Sequence, residues 1–421
     1  MPARRRGAAV GGWVALGLAW LFALRPGPAP EIPAGVHGLP PWAEVGSATG
    51  ARAGAGEPAP VPPPPRLTAA AAILMDWETG QVLYEKNATQ KRPPASTTKV
   101  LTAILALERA RLDDVVTISS RAARVPGSSM YVRAGETYTL QELLYGLLLH
   151  SGNDAAVAIA EHVAGSVEAF AQLMNEKARA IGARSSHFLN PHGLHQPGHY
   201  STAYDLALIT RYALENPVFA EIVRQRHAEI LVGEETRALR NTNRLLWMYE
   251  GADGVKTGTT SAAGACLIAS ATQSDPDSFL PQKLVTVVLD ADGRWRDSIR
   301  LLEWGFTNFR LARVARAGEV IGYLPVAGGL DPWVPIVPRR DLAAAVPRAE
   351  RGRLSVRVDL PPRIRAPVAA GQVLGRATVL PPGPSAGRPV DLVAGQPVGR
   401  ATWATYLARA LLPWLRWSAA R

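Results

Sequence analysis

The sequence predicts an α/β (α+β) fold: a sheet with an inserted helical subdomain, followed by a small all-β domain and an amphipathic C-terminal helix. Three observations predict it. Short strand-like runs bounded by turn residues occur at 70–85 and again at 254–290, while the stretch between, 137–225, is dominated by helical periodicity. Residues 311–397 alternate short apolar runs with Gly and Pro, the pattern of a small all-β unit. Trp403, Leu407, Ala410, Leu411, Trp414 and Trp417 then fall on one helical face, with Arg409 and Arg416 opposite.

Composition bounds what such a chain can be. Its 421 residues suit two or three domains, and 47% hydrophobic with 19% charged residues allows at least one large core. That excludes disorder throughout, collagen and a polytopic membrane protein. A single cysteine, Cys266, excludes an internal disulfide and a cysteine-built zinc cage. The net charge of +11 is unevenly placed: residues 1–66 hold six Arg against three Glu, and residues 311–421 hold sixteen Arg against six acids. The segment 67–310 is left at about −2. Basic ends made of Arg alone, with no interleaved aromatic-basic RNA motif, fit anionic lipid or wall polymer, and no nucleic-acid partner is expected.

In chain order, residues 1–24 read as a signal or anchor segment. Arg4, Arg5 and Arg6 precede an uncharged, mostly apolar run from Gly7 to Leu24, and eighteen residues of helix span roughly 27 Å, close to a bilayer core. The arginines should stay inside and send the remainder out of the cytoplasm. Cleavage is left open, Ile32-Pro33-Ala34 being a weak site. Residues 25–66, rich in Pro, Gly and Ala and ending in Pro62-Pro63-Pro64-Pro65, read as a semi-rigid spacer. From 67 to 310 the chain reads as one domain. Strands at Ala70–Asp76 and Gln81–Glu85 flank a Trp77–Gly80 turn, and a helical run, Thr97–Leu112, follows Pro93-Pro94-Ala95-Ser96. Helices at Leu140–Leu149, Asp154–Val163 and Tyr204–Leu214 precede strands at Gly254–Thr259, Gly264–Thr272 and Lys283–Asp290, and a helix from Trp295 to about Phe309 closes the domain. The small β-domain occupies 311–397 and the tail helix 398–421, kinked or split at Pro413, since an interior Pro costs about 3 kcal/mol.

Chemistry concentrates in three short elements. In Ser96-Thr97-Thr98-Lys99, residues three apart share a helical face, so the Lys99 amine lies one turn from the Ser96 hydroxyl. A serine needs a base, and Lys serves only when burial or neighbouring cations lower its pKa; Arg cannot deprotonate. Only six of the 46 basic residues are Lys, which makes Lys at this position mildly informative. Ser151-Gly152-Asn153 is a polar connection between two apolar helices, where Ser151 could pass a proton and Asn153 could hold a substrate amide. Lys256-Thr257-Gly258 stands on a strand: an ammonium and a hydroxyl suit a carboxylate, and Gly258 permits close backbone approach. Each element alone has an ordinary structural reading; the three in this order match the pattern of class A β-lactamases and penicillin-binding proteins.

Around them, Thr79-Gly80-Gln81-Val82-Leu83-Tyr84-Glu85, Pro94-Ala95, Asn190-Pro191-His192-Gly193-Leu194, Tyr200-Ser201-Thr202-Ala203-Tyr204-Asp205, Asp253-Gly254-Val255 and Trp304-Gly305-Phe306 extend the likeness across residues 67–310. The chain resembles the serine D-Ala-D-Ala carboxypeptidases, the low-molecular-weight penicillin-binding proteins. The resemblance implies a penicillin-binding-protein/β-lactamase-like sheet, Ser96 as acylated nucleophile, Lys99 as its base and Ser151 with Asn153 as second motif. It further implies that Lys256, Thr257, Gly258, Thr259 and Arg294 bind substrate, with the N–H groups of Ser96 and Thr259 as oxyanion hole. Arg365-Ala366-Pro367 and Gly371-Gln372-Val373-Leu374-Gly375 resemble the β-domain that trails many members, and the tail resembles their amphipathic anchors.

The implied reaction is removal of the terminal D-Ala from peptidoglycan stem pentapeptides, with β-lactam antibiotics as substrate mimics and no cofactor or metal. The implied location is the extracytoplasmic face of the cell membrane, which the C-terminal helix would touch. The alternatives are a β-lactamase, disfavoured by the absence of a Glu with nearby Leu-Asn between the second and third motifs; an endopeptidase or transpeptidase; and a catalytically inactive wall-binding protein. His187, His192, His195 and His199 cluster in a Pro/Gly-rich stretch without a His-Glu-x-x-His pattern and read as structural loop histidines. Cys266 reads as a small buried hydrophobe.

Overall fold

The computed structural model describes residues 43–45, 61–232, 235–275, 280–349, 354–380 and 387–407. The segment 1–24, most of the spacer and the tail from Ala408 onward, with Arg409, Ala410, Leu411, Trp414, Arg416 and Trp417, lie outside the described residues. Among the described residues no helix is long and apolar enough to cross a membrane.

The central sheet joins strands far apart in sequence. β1 (Ala71–Asp76) and β2 (Val82–Lys86) form the expected hairpin, while β3 (Ala252–Thr260), β4 (Gly264–Ser274) and β5 (Pro281–Leu289) come from the other end of the domain. The order is β2-β1-β5-β4-β3, antiparallel throughout, with Leu74 opposite Thr286 at the join. Side chains alternate between faces, so every β1 residue is buried when both faces are covered. Leu74, Leu267, Leu284 and Val288 pack against Leu301, Leu302 and Phe306 of the closing helix, Arg294–Asn308. Gly305 sets that approach: a Cβ there would lie 2.6 Å from Leu284 Cδ1. Ile73, Met75, Ile268, Val285 and Val287 face the helical subdomain.

The helix that follows Ser96, α1 (Lys99–Arg109), is buried at every position from Lys99 to Ala106. An apolar helix wrapped on all sides belongs in the middle of a core, and that places Lys99 out of water. Its neighbour α2 (Asn153–Ala164) is buried from Asn153 to Ala160.

Three local differences from the sequence expectation stand out. Ser96 lies in a 3-10 turn, Ala95–Thr98, and the α-helix starts at Lys99. The helix before Ser151 is α over Leu140–Tyr145 and π over Gly146–His150. Between the helical subdomain and β3, a hairpin pairs His227–Val232 with Glu235–Arg240, a segment whose charged residues mask the strand pattern.

The C-terminal part is all β. β6 (Phe309–Ala315) pairs with β9 (Leu342–Pro347), and β7 (Gly322–Ala327), β8 (Trp333–Pro338), β10 (Ser355–Asp359), β11 (Val373–Leu380) and β12 (Val390–Ala394) lie in one sheet with order β10-β11-β12-β8-β7. Val334, Ile336, Leu342, Ala344, Val356, Val358 and Leu392 fill its core. The Gln81 amide meets Ala345 twice, donating to its O at 3.2 Å and accepting from its N at 2.6 Å, which ties this domain to the β1–β2 turn. The spacer is not free along its whole length. Residues 43–45 pair in parallel with β10, and Trp304 Nε1 donates to Pro62 O at 3.1 Å. An extended Pro segment leaves its carbonyls unpaired, so an aromatic N–H can take one.

Candidate active site

Ser96 is presented by a turn that a separate loop holds in place. Pro93-Pro94 stop helix from running backward, and Ala95 adopts φ +48°, uncommon for a residue with a side chain. The loop 190–199 locks it. Gly193 has φ +85°, and a Cβ on it would stand 1.8 Å from Ala95 O. Thr102 Oγ1 donates to Pro191 O at 2.6 Å, and Thr98 Oγ1 lies 3.1 Å from His199 Nε2.

The Lys99 nitrogen lies 2.8 Å from Ser96 Oγ, 2.6 Å from Asn153 Oδ1 and 3.0 Å from His192 O. Lys99 is wholly buried. Burial, then the positive charge of Lys256, holds its pKa far below the ordinary amine range, against a smaller opposing pull from Asp154. Asn153 is fixed from its other end, Nδ2 donating to Pro126 O at 2.7 Å. Asp154 gathers the loop above it, accepting from Ser129 Oγ at 2.5 Å and Met130 N at 3.1 Å.

The facing wall is β3, the edge strand of the sheet. Gly258 sits against the nucleophile turn: a Cβ there would come within 3.0 Å of Ser96 N and 3.1 Å of Pro94 O. Lys256 is almost fully buried, and its pKa falls to about 7 through burial and the nearby Arg294 charge. Arg294 Nη1 donates to Gly258 O at 3.0 Å and Thr259 Oγ1 at 2.8 Å. Thr257 Oγ1 lies 2.8 Å from Thr242 Oγ1.

This is a half-buried serine held by a buried lysine and facing a cationic strand, and the comparisons with known proteins agree with it. Residues 59–293, more than half of the chain, match the S11 peptidase family, described as D-alanyl-D-alanine carboxypeptidase. The chain belongs to that family. Residues 309–402 match the C-terminal domain of penicillin-binding protein 5. The chain is 31% identical to the D-alanyl-D-alanine carboxypeptidase DacF of Bacillus subtilis, over 83% of this chain and 90% of that protein. It is 36% identical to DacC of Escherichia coli over 73% of this chain and 78% of that protein. Among solved structures it is similar to penicillin binding protein 5 of Haemophilus influenzae, with TM-score 0.67 and 31% identity, covering 80% of this chain and 99% of that one.

Within this S11 carboxypeptidase fold the structure brings Ser96, Lys99 and Asn153 into direct contact, and Gly258, Thr259 and Arg294 into a second contacting group across the cleft. Ser151 lies between the π segment and α2. It caps the π segment in the left-handed region, φ 68°, and among the described residues no hydrogen bond joins it to Ser96 or Lys99. Asn153 contacts the lysine through Oδ1 and Pro126 O through its amide nitrogen.

Sequence reasoning missed His192 O, Gly193, Asp154 and Thr242. The Asn190–Leu194 segment was a signal for the first two; nothing in the local sequence pointed to Thr242. The loop histidines are hydrogen-bonded within the loop: His199 Nδ1 accepts from Leu189 N at 3.1 Å and His192 Nδ1 from Leu194 N at 3.2 Å. Burial pushes His192 down to about 3 and His199 to about 4, so both are neutral near pH 7. Among the described residues no group of three His, Cys, Asp or Glu could hold a metal ion. Cys266 is fully buried opposite Gly258, and burial raises its thiol to about 11.

Proposed function

We propose that this chain removes the terminal D-Ala from peptidoglycan stem pentapeptides through an acyl-enzyme at Ser96. The observation that carries the reading is the Lys99 nitrogen 2.8 Å from Ser96 Oγ on a side chain wholly removed from water. A neutral amine has two N–H groups and one lone pair. Asn153 Oδ1 and His192 O can only accept, so they take the two N–H groups and leave the lone pair to the Ser96 hydroxyl.

Ser96 Oγ attacks the carbonyl of the penultimate D-Ala and its proton passes to Lys99. The oxyanion faces the N–H groups of Ser96 and Thr259. Collapse breaks the peptide bond, and the departing D-Ala amine takes the proton, with Ser151 as relay. Water then hydrolyses the ester, with Lys99 again the base. Lys256, Thr257, Thr259 and Arg294 grip the terminal carboxylate, Gly258 lets substrate backbone lie close, and the second N–H of the Asn153 amide is available to a substrate carbonyl. β-Lactams enter as mimics and leave a slowly hydrolysed adduct. No cofactor takes part.

The test is D-Ala release from a pentapeptide together with labelling by a fluorescent penicillin. Release, and stable labelling lost in Ser96→Ala, supports this reading. Rapid turnover of the label would make the chain a β-lactamase, cleavage of cross-linked peptides in preference to pentapeptide an endopeptidase, and no labelling an inactive wall-binding protein.

Peptidoglycan lies outside the cytoplasm, and the exported reading follows from Arg4–Arg6 with the apolar run Gly7–Leu24. The tail, with Trp403, Leu407, Trp414 and Trp417 against Arg409 and Arg416, holds the enzyme at the outer face of the membrane. Truncation after Ala401 should abolish co-sedimentation with anionic vesicles while leaving D-Ala release intact.

A further inference from the structure

The cations of the cleft continue onto its rim. Thr242 N donates to Leu149 O at 2.9 Å and Thr242 Oγ1 lies 2.8 Å from Thr257 Oγ1, so the segment 241–249 is fixed to both the Ser151 side and β3. Buried Asn241 and Asn243 root it, Asn241 Nδ2 donating to Gln225 O at 2.8 Å and Asn243 Oδ1 accepting from Leu245 N at 3.2 Å.

On this platform Arg244 is exposed, and its charge reaches Arg294, which it pushes down in pKa alongside the larger effect of burial. Trp247, 37% exposed, carries two guanidinium groups, Arg240 at 5.3 Å and Arg226 at 5.9 Å from its ring centroid. Arg226 Nε also donates to Leu246 O at 3.0 Å. Among the described residues none of Arg226, Arg240 and Arg244 forms an ion pair. Residues 67–310 carry only about −2 in total, so this concentration is local rather than general basicity.

We propose that Arg226 and Arg240, held over the Trp247 ring, together with Arg244 on the segment that Thr242 fixes to Thr257, form a second carboxylate subsite that selects stem peptides bearing a free carboxylate beyond the terminal D-Ala-D-Ala pair. Stacking on the indole orients a guanidinium while leaving its N–H edge open, the arrangement that accepts a carboxylate in two parallel hydrogen bonds. The subsite is solvent-exposed, so its effect is modest: about fivefold, and screened by salt. The proposal rests on the carboxypeptidase reading above.

The experiment compares two pentapeptides ending in D-Ala-D-Ala that differ only in a side-chain carboxylate or carboxamide on the third residue. D-Ala release gives kcat and KM for the native protein and for the Arg240→Gln/Arg244→Gln double variant. The native protein should favour the acidic peptide about fivefold in kcat/KM, through KM, with the preference shrinking as ionic strength rises. The double variant should bring the ratio to about one. Equal rates on both peptides by the native protein, or a double variant that loses on both alike, overturns the subsite. Failure of the native protein to release D-Ala from either peptide would instead strike the carboxypeptidase reading itself.

Discussion

Lys99 and Lys256 are both buried in one cleft, on opposite walls, and their surroundings differ in kind. Lys99 meets a hydroxyl, an amide oxygen and a backbone carbonyl, all neutral groups at 2.6–3.0 Å. Lys256 has the Thr257 carbonyl at 3.2 Å and the charge of Arg294 beside it, on a strand that forms the sheet edge. Each cation lowers the next, Arg294 acting on Lys256 and Lys256 on Lys99. The difference teaches a division of labour. The lysine inside the helical core is satisfied without a counter-ion and can stay neutral as a base. Burial and Arg294 bring the lysine on the strand down to about 7, and the proposed substrate carboxylate would raise it by supplying the missing negative charge.

The hardest break of that comparison exchanges the base for a group that cannot deprotonate. Lys99→Arg should lower penicillin acylation by about 10⁴-fold while the protein stays folded by circular dichroism. Retained labelling would remove Lys99 from the base role. Next comes the loop that presents the serine side. Gly193→Ala places a Cβ against Ala95 O at a positive φ, and should cost about 3 kcal/mol of stability, read as a fall in urea midpoint together with slower acylation. An unchanged midpoint would mean the loop does not hold the turn.

Legibility in the sequence followed the same division. Contacts close in sequence were readable: Ser96 to Lys99 is one turn, and the likeness of whole segments to a family carried the fold and the carboxypeptidase assignment. Helix and strand cores such as Tyr204–Leu214, observed as Ala203–Ala213, followed from apolar periodicity. Contacts made by the fold were not readable. Asn153 Oδ1 reaches Lys99 across 54 residues and His192 O across 93, and neither spacing leaves a local pattern. Thr242 meets Thr257 only because the hairpin 227–240, whose alternation is obscured by charged residues, delivers it there. The 3-10 start at Ala95–Thr98 was hidden because Pro-Pro-Ala-Ser reads equally as an ordinary helix entry.

On the strand wall the expected losses are in binding. Lys256→Gln removes the charge while keeping a polar, hydrogen-bonding side chain, so kcat/KM for D-Ala release should fall about 100-fold, mainly through KM. A fall confined to kcat would place Lys256 in the proton-transfer step and merge the two walls.

The smallest effect sharpens the comparison most, because its sign depends on pH. Arg294 both donates to Thr259 Oγ1 at 2.8 Å, within the proposed carboxylate site, and depresses Lys256. Arg294→Gln removes a binding partner, which should raise KM about tenfold near pH 6, where Lys256 is protonated in either protein. Without the neighbouring charge the Lys256 pKa rises above about 7, so more of it is protonated on the alkaline side. The fall of kcat/KM with rising pH should therefore begin later in the variant, and the tenfold gap should narrow between pH 7 and pH 9. If the gap is the same at every pH, Arg294 is only a carboxylate ligand and Lys256 does not set the alkaline limb. If the limb moves down instead, the electrostatic ordering of the two walls is wrong.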